Sequence, residues 1–357
     1  MDIKHGLIDV HHHNVPDVYR KALTERGITK VAGANLPAWD PEASLELMDA
    51  SGIQTAITGL SAPGVHLGGG VEQAKALARE CNEFSSALVA DHPGRFGFFA
   101  VLPMPFMEAS CAEAGYALDT LRADGIVLLG STDGVFLGDP RLDELMAELD
   151  RRRAVVFVHP NIHPSSETLR LEIPGFYVEF LCDTTRAALN LVLTGTMERY
   201  PRISWILAHS GGFLPYVAWR ANLASNFPEF LERAPDGILS YIKRFYYETA
   251  LSPSRYSQVV LRELLDPSHV LFGCDFPFAP SQLVAAECKQ LSELEIWSPE
   301  EHYGINRGHA LRLFPRYKED SEKVSPLPLF EKVSFRQRLK RLVNRATAAL
   351  ATRAQGH

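Results

Sequence analysis

Residues 7–13 read LIDVHHH, and Pro16 follows three positions later. A short apolar run leads directly into three histidines. In an extended strand alternate side chains share a face, so His11 and His13 point one way and His12 the other. Two imidazoles on one face at a strand end can grip a single cation. Asp9 lies two residues before His11 and shares its parity, so it is expected to brace a ligating imidazole from behind. An HxH pair alone also fits a histidine-rich turn, and the decision rests on the rest of the chain.

Outward from this stretch, short apolar runs rich in β-branched and aromatic residues recur at 55–60, 96–101, 125–129, 155–158, 203–208, 245–248 and 270–272. Amphipathic stretches such as 72–90, 142–153, 185–199 and 255–264 lie between them. Such alternation implies βαβ units and a parallel sheet buried on both faces. Eight strand candidates, counting 7–10, suit a closed (β/α)8 TIM barrel. A doubly wound sheet is the alternative, but no GxGxxG turn follows the first strand. The glycine-rich segment LSAPGVHLGGG (60–70) ends in Val71-Glu72, not the Lys-Ser or Lys-Thr that a phosphate loop requires. It reads as a mobile loop or a plain connection.

Three further strand candidates end on chemistry-bearing residues. VVFVHPN (155–161) delivers His159, WILAHSGG (205–212) delivers His209, and VLFGCDFP (270–277) delivers Asp275. Each alone could merely cap a strand. Together they place metal-type ligands on the face where barrel strands end, which is the functional face of this fold.

The 357 residues are 46% apolar and 22% charged, with a net charge of −7. That balance argues against nucleic acid as the main partner. Five cysteines (Cys81, Cys111, Cys182, Cys274 and Cys288) show no CxxC spacing, so reduced thiols in the cytoplasm are expected. The start MDIKHG does not resemble a secretory leader, and no apolar run of about 18 residues suggests a membrane span. After residue 315 the character changes. The expected organisation is a barrel domain over 1–315, then a linker and a basic amphipathic helix over 316–357. Residues 332–357 hold seven Lys or Arg and no Asp or Glu, with Phe335, Leu339, Leu342, Val343, Ala346 and Leu350 at helical spacing. Docking on the barrel or a sister subunit is expected in preference to membrane contact.

The pieces IDVHHH with Pro16, FVHP, LAHSGGFLPYVAWR, YYETA, FGCDFPF and GHALRLF together resemble the amidohydrolase superfamily, and more closely its aminocarboxymuconate-semialdehyde decarboxylase-like branch, over about residues 6–315. The resemblance implies a (β/α)8 barrel with one divalent metal ion held by His11, His13, His159 and Asp275. It implies an active-site role for His209, and for Arg220 a reach across a homodimer interface to a substrate carboxylate. No lysine stands at a strand end, unlike the binuclear members. The γ-resorcylate type has ExH on its first strand where this chain has HxH. That more neutral ligand set favours Zn2+ over Mn2+. His309 stands where the family usually has Asn.

The expected activity is nonoxidative decarboxylation of a small aromatic ortho-hydroxy acid, 6-methylsalicylate or salicylate-like. The metal would bind the carboxylate and hydroxyl. Asp275 would protonate the ring carbon, and His209 would bond the substrate oxygen or move the proton. Arg220 or Arg186 would hold an anionic group, with Phe180 and His66 at the substrate; of the aromatics near the expected mouth, Trp39, Phe176, Tyr177, Phe180, Phe213, Phe276 and Phe278, about a third are expected in the pocket. His12, His163, His302 and His357 are expected as surface or loop residues. The alternatives are a metal-dependent hydrolase of a lactone or cyclic amide, a hydratase, or a metal-stabilised scaffold without catalysis.

Overall fold

The β-branched and aromatic runs form strands because a pleated, doubly covered surface suits their stiff side chains. In the computed structural model, which describes residues 6–324 and 334–354, the strands are β1 (Leu7–His13), β2 (Ile53–Gly59), β3 (Phe96–Val101), β4 (Gly125–Leu129), β5 (Val155–His159), β6 (Ser204–Leu207), β7 (Tyr246–Glu248) and β8 (Val270–Leu271). They pair in chain order and in parallel. Beyond its last paired residue, β8 runs back to β1. Val10 N–H donates to the Phe272 carbonyl (2.9 Å), His13 N–H to that of Phe276 (2.7 Å), and Asp275 N–H to that of His11 (2.7 Å). The barrel therefore closes at the strand that carries the histidines.

Eight helices cover the strands: α1 (Pro41–Ser51), α2 (Val71–Asp91), α3 (Met107–Gly115), α4 (Asp143–Arg151), α5 (Glu179–Leu193), α6 (Leu214–Asn222), α7 (Arg255–Leu264) and α8 (Ser281–Ser292). Smaller turns and two short hairpins decorate this frame. The amphipathic stretch read as one helix over 185–199 begins earlier and breaks at Gly195. That glycine takes φ 79°, a left-handed conformation that ends a helix cheaply only without a Cβ. Inside the barrel, Phe99 and Phe157 stack at 5.4 Å, and Trp205 is buried with them in one core. At the opposite end, buried Arg307 pairs with Glu322 (2.6 Å) and donates to the Gly6 and Tyr317 carbonyls. His309 Nδ1 bonds the Val270 carbonyl at 2.9 Å, so this substitution serves barrel closure.

Helix α9 (Phe335–Ala354) lies on the outside of the barrel. It docks through a polar edge. Arg341 pairs with Glu198 and Asp236, both at 2.9 Å, and Asn344 donates to the Pro235 carbonyl. The apolar stripe that sequence reading would press against the barrel faces outward. Residues 325–333 and 355–357, which include part of the expected linker and His357, lie outside the described residues. No described helix is long and apolar enough to cross a membrane.

Candidate metal centre and active site

Four residues from three strand ends meet inside the barrel mouth. The ligating-type atoms of His11, His13, His159 and Asp275 all lie within 4.8 Å of one another, and all four residues are buried. His11 Nε2 and His13 Nε2 are 3.0 Å apart, and Asp275 Oδ1 is 3.3 and 3.0 Å from them. Asp275 adopts φ 62° and His209 φ 53°, so both turn off their strands through left-handed backbone. Such conformations cost roughly 1–3 kcal/mol each and concentrate at functional sites. After His209 the chain stays left-handed through Gly211 and Gly212, and a Cβ on Gly212 would strike the Leu181 carbonyl.

The orientation of the three imidazoles is fixed from behind. His11 Nδ1 bonds Glu248 (2.8 Å), His13 Nδ1 the Gly59 carbonyl (2.9 Å), and His159 Nδ1 the Pro160 carbonyl (2.8 Å). Each acceptor receives a hydrogen bond from Nδ1–H, which keeps the proton on Nδ1 and leaves an Nε2 lone pair aimed at the common centre. This donor set fits a divalent cation well. Taken as bare side chains, burial pushes His13 and His159 down, toward the neutral form that ligation needs. Burial opposes charge on His11 too, but Glu248 and Asp275 outweigh it and push it up to about 10. Burial would raise Asp275, yet His11 and His13 hold its carboxylate well below the ordinary range. Burial and neighbouring His11 lower His209, whose Nδ1 bonds the Ala250 carbonyl at 3.3 Å.

Glu248, at the end of β7, is the residue that motif reading missed as a site group, although YYETA contains it. One buried carboxylate grips His11 Nδ1 and accepts the backbone N–H groups of His209 and Ala250. It thus braces a ligand and the neighbouring active-site loop together. Asp9 does not have the role its parity suggests. The three-residue step from Asp9 to His12 in β1 is matched by a two-residue step in β2, from Ala56 to Thr58. This bulge reverses the alternation. Asp9 therefore bonds His12 Nδ1 (2.9 Å) and the Cys274 N–H and thiol, away from the cation site. His12, expected at the surface, is buried and reaches Ser44 Oγ on α1 at 2.8 Å.

Above the four donors lies a cavity of about 530 Å³. His159, His209 and Asp275 form its floor, and Phe176, Tyr177, Phe180, Leu181, Leu251, Phe278 and Leu283 its walls, with hydroxyls on Ser61, Ser252 and Tyr177. No Lys or Arg is among these lining residues. Arg186 and Arg220 sit exposed on α5 and α6, outside the cavity of their own chain. His66 is drawn away to Asp133 (3.1 Å) and the Gly69 carbonyl, and it lines neighbouring clefts instead. Of the other aromatics expected at the mouth, Trp39 and Phe276 belong to the core.

Residues 8–316 match the amidohydrolase family, and the chain belongs to that family. Within it, the chain falls in the aminocarboxymuconate-semialdehyde decarboxylase-like branch, whose members here are decarboxylases. It is 36% identical over 325 residues to the 6-methylsalicylic acid decarboxylase of Penicillium expansum, covering 89% of this chain and 98% of that protein. It is 24% identical over 286 residues to the 2-amino-3-carboxymuconate-6-semialdehyde decarboxylase of Dictyostelium discoideum, covering 78% of each. The fold matches that of dihydroxybenzoic acid decarboxylase from Polaromonas sp. JS666, solved with manganese and the inhibitor 2-nitroresorcinol. The TM-score is 0.77 at 24% identity, over 88% of this chain and 98% of that one.

Two predictions follow from this electrostatic frame. Glu248→Gln removes the charge behind His11 while keeping its volume, so affinity for a divalent ion should fall about 10–100-fold, read by competition with a chelating dye. Glu287 on α8 is buried, and its Oε2 has no hydrogen-bond partner among the described residues. Burial first, then the nearby Asp275, push it from 4.5 up to about 8. Between those values the unfolded chain releases the proton that the folded chain retains, so stability falls as pH rises. Glu287→Gln should therefore be more stable than the parent above pH 8, by on the order of 2–4 kcal/mol, with the gap closing by about pH 5 in denaturant titrations.

Proposed function

We propose that the protein is a divalent-metal-dependent, nonoxidative decarboxylase of a small aromatic ortho-hydroxy acid, 6-methylsalicylate or a salicylate-like acid. The observation that carries this reading is the set of three imidazoles, each bonded through Nδ1, whose Nε2 atoms converge with Asp275 beneath an apolar cavity. His11, His13, His159 and Asp275 would hold the ion. When bound, it would chelate the substrate carboxylate and ortho oxygen and draw electron density toward them. The three imidazoles and one carboxylate favour Zn2+, with Mn2+, the ion of the dihydroxybenzoate relative, as the alternative.

The chain's own groups then move one proton. His209 presents Nε2 to the cavity, because its Nδ1 is engaged by Ala250, and accepts the proton of the ortho-hydroxyl. It passes this proton to Asp275, and Asp275 delivers it to the ring carbon that bears the carboxylate. The bond to the carboxylate carbon then breaks, and its electron pair restores the aromatic ring as carbon dioxide leaves. The low proton affinity of Asp275 argues against a standing acid, so the substrate supplies the proton. The aryl walls suit a flat ring, and Phe180 lies 5.8 Å from His159, centroid to centroid. No cationic side chain of the same chain is in the lining, so within one chain the bound ion would be the counter-charge of the carboxylate. The mostly apolar walls also have room for a methyl substituent.

The reading includes a homodimer in which Arg220, exposed and absent from the lining of its own chain's cavity, would reach the substrate of the partner. Five free cysteines fit a reducing cytoplasm. In heavy water, 6-methylsalicylate should yield 3-methylphenol with deuterium at the former carboxyl carbon. His159→Ala should lose metal and turnover together, whereas His209→Ala should keep about one ion per chain and lose turnover at least 100-fold. Full turnover by His209→Ala would remove it from the mechanism. No carbon dioxide from any hydroxybenzoate would remove the decarboxylase reading.

A further inference from the structure

Of the three side-chain hydroxyls in the cavity lining, Ser61 is the buried one. It is 6% exposed, whereas Ser252 is half-buried and Tyr177 is exposed. Its place follows from the end of β2. The Gly59 carbonyl there accepts from His13 Nδ1, and Ser61 stands two residues beyond. Gly64 N–H donates to the Ser61 carbonyl (3.2 Å), and the Tyr19 hydroxyl donates to the Gly64 carbonyl (3.1 Å). The turn that carries Ser61 is thus tied on one side to the ligand strand and on the other to the buried Tyr19.

Among the described residues the Ser61 hydroxyl makes one hydrogen bond, to His159 Nε2 at 3.4 Å. His159 Nδ1–H is engaged by the Pro160 carbonyl, so Nε2 carries the lone pair and the hydroxyl donates to it. At 3.4 Å that bond is long and therefore weak. The same lone pair is the one that His159 would offer to a divalent ion. Ion and hydroxyl compete for it, and loading the site releases a buried donor into the cavity. A buried donor left without a partner costs roughly 1–3 kcal/mol, which favours a ligand that brings an oxygen within reach.

The order of the strands decides which oxygen that is. β2 and β6 stand four places apart in a ring of eight, so they face each other across the barrel. Ser61 follows β2 and His209 follows β6. With the ortho-hydroxyl on the His209 side, the carboxylate is turned toward Ser61. No cationic side chain of the same chain lines the cavity to bond it there. We infer that the Ser61 hydroxyl donates to a carboxylate oxygen of the bound aromatic acid, so that Ser61 and His209 orient the ring from opposite sides. The inference rests on the decarboxylase reading and adds a substrate contact to it. Ser61 then separates acid from product, because the phenol left after carbon dioxide departs offers it no acceptor.

The test is calorimetric titration of the metal-loaded full chain and of its Ser61→Ala variant with two unreactive probes. In 3-methyl-2-nitrophenol a nitro group stands in the place of the carboxylate, and in 3-methylphenol a hydrogen does. Ser61→Ala should keep about one ion per chain, since it removes a competitor and not a ligand. It should bind the nitro probe at least tenfold more weakly than the parent, and 3-methylphenol within twofold of the parent. Tenfold is about 1.4 kcal/mol, the scale of one hydrogen bond. Unchanged affinity for the nitro probe overturns the inference. So does an equal loss for both probes, which makes Ser61 part of the wall only. Loss of the ion also overturns it and makes Ser61 a support for His159. A loaded parent that binds neither probe overturns the aromatic-acid reading itself, and the inference with it.

Discussion

The return of β8 onto β1 is the constraint on which the site depends. Residues 11, 13 and 275 are separated by most of the chain, and they meet only because the backbone after β8 bonds directly to that of β1. Asp275 N–H to the His11 carbonyl is both a barrel-closing hydrogen bond and the bond that sets a carboxylate beside two imidazoles. Closing the sheet removes its exposed edges and satisfies the backbone there. It also turns a linear distance of some 260 residues into a contact. The left-handed turn at Asp275 is tolerated because both flanks are held by this seam.

A buried cluster of histidines and carboxylates is expensive unless every group has a partner. This one is paired in layers. The Nε2 atoms and Asp275 face inward, and Glu248 and two backbone carbonyls accept hydrogen bonds from the Nδ1–H groups outside. Glu248 also accepts the His209 N–H, so one carboxylate fixes both a ligand and the start of the active-site loop. Behind β1 a separate set, Asp9, His12, Cys274 and Ser44, ties the same strand to α1 and to the β8 end. The ligand strand is thus held on both faces. Donors held this firmly would suit a divalent ion that keeps an open position.

The legible part of the sequence was the part whose physics is local. Seven strands after the first begin or end within a residue or two of where apolar runs predict them. The four ligand-type residues stand at strand ends because the strand pattern stops there. The parity argument was sound for His11, His13 and His12 but failed for Asp9, since a one-residue bulge leaves no mark in composition or spacing. Glu248 lay in a short strand among aromatics and had no spacing signature of its own. Arg186 and His66 had the right chemistry for the substrate, yet their helix and loop carry them out of this cavity, and Arg220, expected to serve a partner's site, lies outside its own chain's cavity.

By itself the sequence determined the fold class, the identity of the four convergent donors and the basic amphipathic character of the tail. Each of these follows from periodicity or from residue type at a strand end. Only the tertiary structure decided which groups brace the histidines, which side chains wall the cavity, and which face of α9 grips the barrel. Those depend on register and on approach between distant segments. A bulge or a single ion pair such as Arg341 with Glu198 redirects them without altering the one-dimensional pattern.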